Sequence, residues 1–113
     1  MRDIYEAFES ELQKYLEQYL VYLSDELKPA TINKYEMVLV YWIEFLCSGN
    51  LAGNFEEIRL SHISSDFHSD FEAHTQEGLS RETKFRIIHK FLVFIYDTYG
   101  VRNPELMRKL AKK

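Results

Sequence analysis

The sequence predicts an all-α domain, and three observations carry that prediction. Apolar residues recur at steps of three and four almost throughout the 113 residues. Each run is bounded by helix punctuation, with proline, serine or asparagine before it or glycine after it. No segment shows the strict alternation of a half-buried strand. Hydrophobic residues make up 46% of the chain and aromatic residues 15%, which is too much for a disordered segment. The length suits a single core that buries roughly two-thirds of the unfolded surface.

The first helix follows from Ile4, Phe8, Leu12, Tyr15, Tyr19 and Leu23, one stripe stepping by four or three. Asp3, Glu6 and Glu9 suit the positive end of its dipole. Pro29 marks a break and a new start, since a first-turn proline gives up an N–H that has no helical partner. From there Ile32, Tyr35, Leu39, Trp42 and Leu46 form a stripe, with Val38, Tyr41 and Phe45 beside it. Gly49 is the expected stop. Residues 49–63 hold Gly49, Asn50, Gly53 and Asn54 and read as a loop, pinned by Phe55, Ile58 and Leu60. Ser64 is placed to cap a third helix over about 65–76, anchored by Phe67 and Phe71 and ended by Gly78.

Ser80 caps the fourth helix. Phe85, Ile88, Leu92, Ile95 and Tyr99 make its stripe, and Ile87, Phe91 and Phe94 widen the apolar surface nearly all round. Gly100 stops it. Asn103-Pro104 reads as the cap and first residue of a short fifth helix, 104–112, anchored by Leu106 and Leu110.

The formal net charge is -4, but it is unevenly spread. Residues 1–26 and 49–78 each carry -5, residues 27–48 are neutral, and residues 79–113 carry +6. An acidic chain with a basic last third points toward a polyanion or an acidic partner more than its total does. The lone Cys47 excludes an internal disulfide and a multi-cysteine zinc site. No signal-peptide core and no run of about 20 apolar residues is present, so the expected setting is the cytoplasm, away from membranes.

Two helix starts share a phrase: Leu27-Lys28-Pro29-Ala30-Thr31-Ile32 and Leu79-Ser80-Arg81-Glu82-Thr83-Lys84. The order is an acidic helix, L-x-P-x-T-I-x-x-Y, a loop ending in an I-S cap, E-G-L-S-x-x-T, a long helix, then N-P-E. Over roughly residues 10–106 this resembles the N-terminal core-binding domain of tyrosine recombinases, the phage-integrase family. The resemblance implies a four-helix SAM-like bundle with a short fifth helix. It implies residues 1–103 as the core-binding-like domain and 104–113 as a helix or linker toward a separate catalytic domain. It also implies gripping of double-stranded DNA at a recombination site, weakly in isolation, with the catalytic domain or other recombinase protomers as partners. The nucleophilic tyrosine and its helpers belong to that other domain, so no residue here is assigned to catalysis. Tyr15, Tyr19, Tyr35 and Tyr99 sit on apolar stripes and are expected in the core. In the bound state the protein would associate with the nucleoid.

A helical wheel selects the residues that would touch DNA. With Leu92 at 0°, Phe85, Ile88, Ile95 and Tyr99 fall within about 60°. Thr83, Arg86 and Lys90 fall opposite, as a polar and basic stripe. Arg81 and Lys84 lie at the helix start, where free N–H groups and the dipole favour phosphate. Thr31 and Lys34 take the same part on helix two, with Lys28 just before it. Such contacts position a protein, while Arg86 and Lys90 can also reach guanine edges. His89 adds charge only when protonated.

No cofactor or metal is expected. The chain holds no Gly-rich phosphate loop and no HExxH. His62, His68 and His74 recur every six residues, about 120° apart on a helix, and do not converge. Asp66 and Asp70 read as acidic helix surface. A non-enzymatic module follows. The competing reading is a stand-alone helical protein-interaction or regulatory module of the same fold, docking through Ile87, Val93 and Phe94 on the second side of helix four.

Overall fold

The computed structural model describes residues 3–101 and 103–111. Five helices follow one another: α1 (Ile4–Ser24), α2 (Pro29–Ser48), α3 (Ser65–His74), α4 (Arg81–Tyr99) and α5 (Pro104–Ala111). Two single 3-10 turns, Phe55–Glu57 and Leu60–His62, shape the long loop between α2 and α3. No strand occurs among the described residues. The radius of gyration is 13.5 Å, close to the ~13 Å expected of a packed chain this long.

Local chemistry explains most helix ends. Asp3 accepts the Tyr5 N–H at 2.8 Å and opens α1. Pro29 occupies the first position of α2. Ser80 Oγ accepts the Thr83 N–H at 3.1 Å and opens α4. Gly100 ends α4 in the left-handed region, at φ 69°, a conformation that costs glycine nothing. Asn103 Oδ1 accepts the Leu106 N–H at 3.1 Å and opens α5.

Two ends lie where expected but are built differently, and a third comes early. Gly49 closes α2 with right-handed backbone, and the positive φ falls one residue later, on Asn50 at 55°. Asparagine tolerates that region better than other side chains. Ser64 precedes α3 but does not cap it, because its hydroxyl donates instead to the Leu60 carbonyl at 3.0 Å. The α3 helix stops at His74, ahead of Gly78, as Thr75 turns extended.

The core forms where the helix stripes meet. The α1–α2 interface is the largest between helices. α1 also runs antiparallel to α4, with Tyr15 against Tyr99 at 4.3 Å and Tyr19 against Phe94 at 4.9 Å between ring centroids. Trp42, Phe67, Phe71 and Phe91 are fully buried. The Trp42 indole N–H donates to the His62 carbonyl at 3.0 Å, which satisfies its one donor and ties the loop to α2. Leu106 and Leu110 are buried in the same core, and Asn103 Nδ2 donates to the Phe55 and Ile58 carbonyls at 2.7 and 3.0 Å. The fifth helix is therefore clamped to the loop it packs on.

The stripes read from the sequence are shifted at their edges. Leu16 is buried although it lies beside the α1 stripe, and Ile4 at its start is 63% exposed. Tyr19 and Tyr35 are in the core, Tyr15 is half-buried, and Tyr99 is 41% exposed. Tyr99 lies in the last turn of α4, with one side against Tyr15. Ile87, read as part of a docking side of α4, belongs with Phe91 to its buried face.

Candidate nucleic-acid interface

The start of α4 is built by its own side chains. Ser80 Oγ donates to Thr83 Oγ1 at 2.9 Å while accepting the Thr83 N–H. Thr83 is half-buried, and its hydroxyl belongs to the cap rather than to an open stripe. Arg81, Arg86 and Lys90 are exposed. From Arg81 to Lys90 the helix rises about 14 Å.

Lys84 overturns the reading of it as a surface cation. It is 1% exposed. Its Nζ donates to the Leu79 carbonyl at 2.9 Å and lies 4.5 Å from the centre of the Phe71 ring. Burial pulls its pKa down, and the nearby Glu72 carboxylate opposes that in part. Lys84 ties the segment before α4 to α3 and is not available to phosphate.

The start of α2 presents Lys28 and Lys34 exposed, with Thr31 half-buried between them. Lys28 occupies the cap position but makes no side-chain cap bond. Thr31 donates its backbone N–H to the Lys28 carbonyl at 3.0 Å. Among the described residues, no ion pair within 4 Å engages Lys28, Lys34, Arg81, Arg86 or Lys90. Their charges stay open to an anion.

Two depressions flank Arg86. One, of about 730 Å³, lies between Arg81, Glu82, Phe85 and Leu110, so α5 supplies its far wall. The other, of about 880 Å³, runs between the end of α1 and α4 and takes in Tyr22, Glu26, Leu27, Tyr35, Lys90, Val93, Phe94 and Asp97. Arg86 and His89 line both and form the ridge between them. Burial lowers the His89 pKa, so the imidazole is neutral near pH 7 and adds no charge to the ridge.

The structure thus places Arg86 between the two depressions, with Arg81 lining one and Lys90 the other, and removes Lys84 from the surface. Leu27 and Tyr35, which bracket Lys28, Thr31 and Lys34 in sequence, line the groove shared with Arg86 and Lys90. Sequence reasoning missed Tyr22, Glu26 and Asp97. Tyr22 falls one step off the α1 stripe, which was the available signal. Arg102, Lys112 and Lys113, counted in the basic last third, lie outside the described residues. Among the described residues no group of His, Cys, Asp and Glu is placed to hold a metal ion, and no helix is long and apolar enough to cross a membrane.

Comparison with family models, curated proteins and solved structures finds no match to this chain.

Proposed function

We propose that this chain is a double-stranded DNA-binding domain of the core-binding type that tyrosine recombinases of the phage-integrase family carry. In this reading the five helices are a SAM-like bundle with a terminal helix, and the chain supplies no catalytic residue. A catalytic domain or other recombinase protomers complete the grip, in the cytoplasm at the nucleoid. The observation that supports it best is the set of five exposed cations, Lys28, Lys34, Arg81, Arg86 and Lys90, on α2 and α4 and just before α2, with no ion pair engaging them among the described residues. Residues 1–26 and 49–78 each carry -5, which steers a polyanion away from them. The same acid keeps affinity low, with a Kd of about 10⁻⁴–10⁻⁶ M for nonspecific duplex.

Titration of 15N-labelled protein with a duplex tests this. Amide shifts at Lys28, Lys34, Arg81, Arg86 and Lys90, with none along α3, are the expected result. Shifts spread over α1 and α3, or none at all, would contradict it. The groove beside Val93 and Phe94, with Tyr22 53% exposed at its edge, supports a second reading as a protein-interaction module. That reading predicts concentration-dependent association and no response to DNA.

A further inference from the structure

We propose that the groove between the end of α1 and α4 binds an unstacked base of single-stranded nucleic acid, beside the duplex-binding surface. The inference rests on the nucleic-acid reading and names a second substrate form for it.

Three kinds of group meet in this groove, and together they match the parts of a nucleotide. Arg86 and Lys90 line it with no ion pair engaging them among the described residues, and suit a phosphate. Tyr22 and Phe94 form an aromatic wall, with centroids 5.4 Å apart at 35°. Such a wall suits the flat face of any base. Glu26 and Asp97 line the same groove. Both are exposed acceptors, and they match the amino group of cytosine, adenine or guanine.

The carboxylates choose the occupant. An acidic peptide drawn in by Arg86 and Lys90 would meet Glu26 and Asp97 as like charges. A nucleotide keeps its charge at one end and offers donors at the other. Charge is also ordered along α4, with Arg86 and Lys90 in its first half and Asp97 about 10 Å beyond Lys90. The volume, about 880 Å³, falls in the range of roughly 300–1,000 Å³ that single-ligand sites occupy. Bases stacked in a duplex hide their faces from an aromatic wall, so this groove discriminates strand state.

The test compares fluorescein-labelled 12-mers of dC, dA and dT with a duplex, by anisotropy at low salt. The expected result is tighter binding of dC and dA than of dT. Tyr22→Ala is expected to lose about fivefold or more of the single-strand affinity, with duplex affinity held within twofold. Glu26→Gln with Asp97→Asn is expected to erase the preference over dT. Unchanged single-strand binding in Tyr22→Ala overturns the proposal. So does loss of self-association in that variant without any change in oligonucleotide affinity, which would give the groove to a second copy. The two readings fail separately: a protein that binds duplex but ignores strand state refutes the groove alone. A protein that binds only the 12-mers refutes the duplex surface alone.

Discussion

The two helix starts share a leucine and a threonine at the same spacing and are built differently. At α4, Ser80 caps the first turn, and Lys84 reaches back to the Leu79 carbonyl while lying over Phe71. At α2, Lys28 makes no cap bond and Pro29 alone presets the turn. Aligned on their leucines and threonines, the phrases pair Ile32 with Lys84 and Lys34 with Arg86. Ile32 packs against the core, so its counterpart must also face inward. The comparison separates a position that looks basic from one that is presented to solvent. Lys34 and Arg86 are presented, and Lys84 is not.

Breaking the α4 start should have the largest effect. Lys84→Ala removes a buried stem, a hydrogen bond and the ring contact, and should cost about 2 kcal/mol in denaturant unfolding. Lys84→Met keeps the volume without the charge and should stay within about 1 kcal/mol of the parent. Neither variant should weaken duplex binding at a concentration where the protein is folded. A loss there would return Lys84 to the interface. Ser80→Ala should cost about 1 kcal/mol through the lost cap. Lys28→Ser should supply the cap that α2 lacks and add about 0.5 kcal/mol, read as a rise in Tm. The smallest effect on stability belongs to Arg86→Ala and Lys90→Ala, within about 0.5 kcal/mol, since both are exposed and no ion pair among the described residues engages them.

Much of the fold was legible because helix periodicity and end chemistry agree. Asp3, Pro29, Ser80, Gly100 and Asn103 each act where their type demands. The cap bond missing at Ser64 has a local cause, since its hydroxyl donates to a carbonyl in the preceding 3-10 turn. The candidate site was legible in part. A wheel centred on Leu92 put the buried face too far to one side. By the same rule Lys84 lies about 80° from Leu92, between Ile88 at about 40° and Phe91 at about 100°. All four are buried, so the wheel held the answer once Phe91 and Ile87 were counted with the core. The groove was not legible, because Tyr22 and Phe94 meet only through the antiparallel packing of α1 on α4.

The central claim is that Arg86 and Lys90 hold the nucleic-acid backbone. Duplex affinity measured across a series of salt concentrations, for the parent and for the Arg86→Ala, Lys90→Ala double variant, tests it most directly. Each phosphate contact contributes about 0.9 to the slope of log K against log salt. The account predicts weaker binding and a slope shallower by about two in the double variant. Identical affinities and parallel slopes would contradict it.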